Sequence, residues 1–129
     1  EAAGTERLVS GMGERPAIVH WTKFGIHAFT SGSVAIAPHL SMGIHAALKR
    51  GDVATAERLR AMFLPFEDQR DAHSQIVVLH DAMRFAGIAD AGPIQPLLAN
   101  LDSAVEPPVS AAAQALHREN DTFRSRKAA

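Results

Sequence analysis

Two short apolar runs sit near the start of this chain, and everything after them is patterned as helix. Ala17-Ile18-Val19-His20-Trp21 is short, apolar and β-branched, which reads as a buried parallel strand rather than an alternating surface one. Gly25 breaks the next segment, and Ile26 to Ser33 reads as a second strand ending in small polar residues. Two parallel strands expose unpaired edges and do not make a free-standing sheet. The rest of the sheet is therefore expected upstream of Glu1. The opening Glu1-Ala2-Ala3-Gly4 carries neither an initiator Met nor the pattern of a signal peptide, in keeping with that expectation.

The flanking sequence has clear punctuation. Thr5 to Met12 reads as the end of a short helix, with Thr5 as its cap and Gly13 as its stop. Glu14-Arg15-Pro16 is a turn. Pro38 opens a helix that carries Leu40, Ile44, Ala47 and Leu48 on one face and stops at Gly51. Asp52 caps the next helix, whose stripe is Val53, Ala56, Leu59 and Phe63, and Pro65 should kink or break it. Ser74 caps a third helix with Ile76, Leu79, Met83 and Ala86 facing inward and Gly87 at its end. Ala91 to Asn100 is a proline-bearing connection. Pro107-Pro108 starts a last helix, roughly 109–122. No internal repeat is present.

Charge and cysteine content narrow the function classes. The chain has 129 residues, 13 basic and 14 acidic side chains and a net charge of −1. That balance implies no polyanion surface, so no nucleic-acid partner is expected, and Arg124, Arg126 and Lys127 read as a solvated terminus. No apolar run approaches a membrane span. With no cysteine, disulfides, thiolate metal sites and a Cys nucleophile are excluded together, which suits a reducing, cytoplasmic setting.

Three motifs in order carry a family resemblance. Phe29-Thr30-Ser31-Gly32-Ser33 followed by Pro38 is the first. Ala46-Ala47-Leu48-Lys49-Arg50-Gly51-Asp52 with Phe63-Leu64-Pro65-Phe66 is the second. The third is Arg84-Phe85-Ala86-Gly87, then Asp90-Ala91-Gly92-Pro93-Ile94 and Pro96-Leu97. Together they resemble the C-terminal part of the dihydrodipicolinate synthase / N-acetylneuraminate lyase family, closest in its 5-dehydro-4-deoxyglucarate dehydratase branch. The likeness covers Gly25 to Leu98 well and extends loosely back to Arg7-Leu8-Val9.

The resemblance implies an α/β fold: the last two strands of a (β/α)8 TIM barrel followed by a mainly helical C-terminal region, in a chain that is itself predominantly α-helical. Residues 1–50 would hold strands seven (Ala17–Trp21) and eight (Ala28–Ser33) with the closing helix, and residues 51–129 the helical region. The family forms an imine between a strand-six lysine and a 2-oxo acid, with a tyrosine assisting proton transfer. This chain has no tyrosine, and strand six would precede Glu1, so no catalytic residue is expected here. The resemblance implies no cofactor, a small 2-oxo acid or sugar-acid substrate for the parent enzyme, and a homo-oligomer. Ala35 stands where many members have Asn, His80 where the dehydratase branch has Lys, and Gln95 where it has Arg. The connection between the two strands is shorter than usual. These departures leave the substrate open.

Thr30, Ser31, Gly32 and Ser33 would then lie at the barrel mouth, where hydroxyls and a bare backbone can bond a carboxylate or hydroxyl of substrate. Ordinary turn bonding is the competing reading. His20 ends the first strand and either faces the pocket as a polar contact or serves a structural role. The seven histidines do not have metal spacing: His39 and His45, or His73 and His80, are too far apart for an i, i+4 pair, and adjacent His80 and Asp81 do not share a face. No metal site is expected. Lys49 ends a helix, where cations are favoured. Lys23 is placed in a loop near the mouth, a disfavoured but open alternative, because a Schiff-base lysine needs a pKa depressed by burial or nearby positive charge. Met62, Phe63, Phe66, Met83 and Phe85 read as core or subunit contacts. The expected function is the C-terminal piece of a Schiff-base lyase or dehydratase, inactive alone. The alternative is a non-catalytic helical module that self-associates.

Overall fold

The computed structural model describes residues 4–128, so the reading made of Glu1-Ala2-Ala3 lies outside the described residues. Six α-helices follow one another: α1 (Ala17–Phe24), α2 (Pro38–Lys49), α3 (Val53–Ala61), α4 (Leu64–Ala72), α5 (Gln75–Phe85) and α6 (Glu106–Ala128), with 3-10 turns at Thr5–Arg7 and Ser33–Ala35. Among the described residues the only β pairing is one parallel bridge between Ser10 and Phe29.

That bridge corrects the strand assignment. Ser10 N–H donates to Ala28 O (2.9 Å) and Thr30 N–H donates to Ser10 O (2.8 Å). The pairing therefore joins Ser10 to residues 28–30, and Ala17–Trp21 belongs to the helix that crosses between them. The apolar run misleads because a buried strand and a short buried helix share composition. Its ends decide the matter. Pro16 stands at the helix start, and Gly25 closes the helix in the left-handed region at φ 65°. Thr5–Met12 is likewise not a helix end: only Thr5–Arg7 turns, Gly4 occupies the cap position, and Val9 and Ser10 are drawn out toward Phe29. The second strand candidate pairs only at Phe29, and Ser33 already belongs to a 3-10 turn. The barrel itself is not visible in these elements.

The helical reading holds more closely. Leu40, Ile44, Ala47 and Leu48 are all buried on α2. Gly51 takes φ 74°, and Asp52 accepts from Thr55 N–H at 3.0 Å, a bond that holds its carboxyl below the usual carboxylate range. The chain breaks after Ala61 and restarts at Leu64 with Pro65 in the first turn of α4. Ser74 caps α5 through Val77 N–H at 3.5 Å. Two inward positions turn outward: Val53 is 39% and Ile76 62% exposed. Each sits in the first turn of its helix, outside the packed face. The last helix runs from Glu106 to Ala128, beyond the expected 109–122. Pro107 and Pro108 lie in its first turn, where missing N–H groups cost nothing.

The core gathers on Ile36, Leu40, Ile44, Phe63, Phe66 and Leu116, each at most 2% exposed. Helix α6 packs against α2, α4 and α5 and also contributes a polar clasp. The residue before α2 is Ala37, whose side chain cannot cap. Asn120 of α6, 3% exposed, supplies the cap instead: its Oδ1 accepts from His39 N–H at 2.8 Å and Leu40 N–H at 3.4 Å. Asp81 plays a similar part for the long connection, accepting from Leu101 N–H at 3.0 Å. No helix among the described residues is long and apolar enough to cross a membrane.

Asn120→Ala should cost about 1–2 kcal/mol, because it strips a helix cap and buries unpaired donors. Asn120→Asp should recover most of that, since a carboxylate accepts the same bonds and suits the positive helix end. Urea unfolding of the two variants beside the parent measures both.

Candidate functional site

The parallel bridge brings the ends of both extended segments to one place. Gly11, Met12 and Gly13 follow the first, and Thr30, Ser31 and Gly32 follow the second. Opposite them stand Glu67, Arg70 and Asp71 of α4 and Gln75 at the start of α5. The cleft between these walls has a volume of about 470 Å³.

A buried carboxylate organises it. Glu14 is fully buried. Its Oε2 accepts from Ser31 Oγ (2.5 Å) and its Oε1 from Ser41 Oγ (2.8 Å), while its own backbone N–H donates to Glu67 Oε1 at 3.1 Å. The second carboxyl group, Glu67, is 3% exposed. Burial first, and then the nearby Glu14 charge, push its pKa up from the ordinary glutamate value. Gly13 permits this approach: at φ 77° it is left-handed, and a Cβ there would stand 2.8 Å from Glu67 Oε1.

Arginines complete the cluster. Arg15 reaches Asp68 at 2.5 Å and Asp71 at 3.5 Å, and its Nε lies 3.8 Å from Glu67 Oε2. Arg70 Nη1 donates to Ser33 Oγ at 2.7 Å. Three buried side-chain atoms among the described residues lack a hydrogen-bond partner: Arg15 Nε, Glu67 Oε2 and Arg70 Nε. All three belong to residues lining this cleft. Such atoms are costly to leave unpaired, and they concentrate where a structure keeps bonding capacity for something else. Chemically the cleft offers guanidinium donors, hydroxyls and a carboxyl group whose pKa is raised by burial. No lysine lines it.

The structure gathers part of the expected set. Thr30, Ser31 and Gly32 line the cleft, and Ser33 lies buried beneath it, bonded to Arg70. His20 does not line it. On α1, its Nδ1 pairs with Ser10 Oγ at 2.8 Å, which fastens the crossing helix to the first extended segment. Lys23 is an exposed residue in the last turn of α1 rather than in a loop. His27 and His45 flank Trp21, with ring centroids 4.8 and 5.5 Å away. No group of three His, Cys, Asp or Glu among the described residues could hold a metal ion.

Glu14, Arg15, Glu67 and Arg70 were not singled out from sequence. A signal existed for two of them. On α4, Glu67 falls four residues after Phe63 and Arg70 four after Phe66, so both charges continue the buried face.

The pH dependence of stability follows from Glu67. Its folded pKa is raised, so its contribution is fully present below the unfolded glutamate pKa and is lost as pH rises through the folded value. Melting temperature should therefore fall across that window. Glu67→Gln should flatten the fall while keeping the bond from Glu14 N–H, as thermal melts over a pH series would show.

Comparison with known proteins gives a family and a fold. The sequence model of the dihydrodipicolinate synthetase family matches residues 5–116. The crystal structure of a dihydrodipicolinate synthase from Oceanobacillus iheyensis is similar in fold, with a TM-score of 0.71 at 23% identity over 85% of this chain. The chain spans 37% of the length of that synthase. No protein of curated function matches.

Proposed function

Because the chain belongs to the dihydrodipicolinate synthetase family, we propose that it is the C-terminal part of a lyase or dehydratase acting on a 2-oxo acid through a Schiff base. The observation that carries the reading is the cleft where the two extended segments end, since barrel enzymes place substrate at the C-terminal ends of their strands. Thr30 and Ser31 would contribute hydroxyls to the substrate pocket, and the Gly32 backbone would allow close approach. The imine lysine and the proton-transferring tyrosine belong to upstream strands in this reading. No lysine lines the cleft and the chain has no tyrosine.

Asp90-Ala91-Gly92-Pro93-Ile94 favours the 5-dehydro-4-deoxyglucarate dehydratase branch, while Ala35, His80 and Gln95 depart from it. The proposal takes the whole enzyme to be cytoplasmic, independent of metal or organic cofactor, and a homo-oligomer. Exposed Val9, Met12, Val19 and Phe24, between 51% and 71% accessible, fit surfaces that the earlier barrel strands and helices would cover. The same exposure supports the second reading, a helical module that covers these side chains with a second copy.

Borohydride treatment in the presence of pyruvate separates them. A protein extended through the upstream strands should gain one reduced adduct by mass and consume 2-oxo acid. The 129-residue chain should do neither. Turnover by the short chain would refute the fragment reading. A discrete, stable dimer in sedimentation, with no adduct on the longer protein, would favour the self-association module.

A further inference from the structure

A second concavity lies away from the cleft, between α2, α3 and α6. It has a volume of about 400 Å³, with Leu59, Met62 and Phe123 among its apolar lining. Gly43 lets α6 come this close: a Cβ there would stand 2.8 Å from Phe123 Cζ and 3.0 Å from Leu59 Cδ1. Arg50, Arg58, Arg126 and Lys127 surround this apolar floor, and no carboxylate lines it.

Among the described residues, no ion pair consumes these charges. The ion pairs among the described residues use Arg15, Arg60, Arg84, His80 and His117, and none of these four cations. Arg58 donates to the Thr55 hydroxyl at 3.1 Å. Asp52, the acid that feels Arg50 and Arg58, is already engaged as the cap of α3. Cations are favoured in last helical turns, but each helix end carries only about half a charge. The ends of α2 and α6 therefore offset a minor part of four positive side chains.

We propose that this groove binds a phosphate monoester carried on an apolar body. The doubly charged head would sit among the guanidinium groups and Lys127, where guanidinium matches phosphate geometry. The body would lie on Leu59, Met62 and Phe123. The shared chemistry admits two sources, a soluble phosphate ester or the headgroup of phosphatidic acid. The proposal does not depend on the lyase reading, since the cleft and this groove share no lining residue.

Titration with octyl phosphate, followed by NMR, should give saturable shifts at Thr55, Leu59, Met62 and Phe123 at millimolar concentration or below. Raising the salt should weaken them. Inorganic phosphate should bind at least about tenfold more weakly, because it leaves the apolar floor uncovered. Arg58→Glu and Lys127→Glu alter exposed side chains and should each weaken binding about fivefold. Competition by phosphatidic acid vesicles, but not phosphatidylcholine vesicles, would identify a lipid headgroup; its failure beside octyl phosphate binding would identify a soluble ester. Absent shifts at these residues, equal binding of octanol, or unchanged affinity in both variants would overturn the proposal.

Discussion

Glu14 is the constraint on which the cleft depends. A fully buried carboxylate is tolerable only when its oxygens are bonded, and the bonds chosen here join separate parts of the chain. Ser31 comes from the rim, Ser41 from α2, and the Glu14 backbone holds Glu67 of α4. One residue, through its side chain and its backbone, thus ties the opening segments to α2 and α4. Glu67 bears a cost as well: its burial, and after that the Glu14 charge, raise its pKa above the ordinary glutamate value.

The helical half was legible because its signals are local. Asp52 and Ser74 cap, Gly51 and Gly87 stop, and Pro65 interrupts, each through bonds or sterics within a few residues. The first half was not, because its identity depends on pairing across sequence. Ala17–Trp21 has strand composition, and only Pro16 and Gly25 at its ends mark it as helix. Ser10 and Phe29 form the bridge; Phe29 lies in the run read as the second strand, but Ser10 stands in no run that announces one. Thr30, Ser31 and Gly32 could be placed at the cleft through family likeness. Glu14 and Arg15 looked like an ordinary turn, since nothing local shows that a turn residue will be buried.

This division matches the two halves' different exposure. The helices close around Leu40, Ile44, Phe63 and Phe66 with very little exposure. The opening segments have one rung of pairing and leave Val9, Val19 and Phe24 in contact with solvent.

The clasp from Asn120 to the start of α2 also sets an order of events. Its bond to His39 spans 81 residues, so α2 can wind early on local propensity, yet its first turn stays uncapped until α6 arrives. Long-range closures of this kind come late and slow the approach to the native state. During synthesis the first five helices would emerge before the group that completes one of them. Until then they would hold a looser, collapsed arrangement, open to chaperones. Final consolidation of the core would then coincide with docking of the last helix.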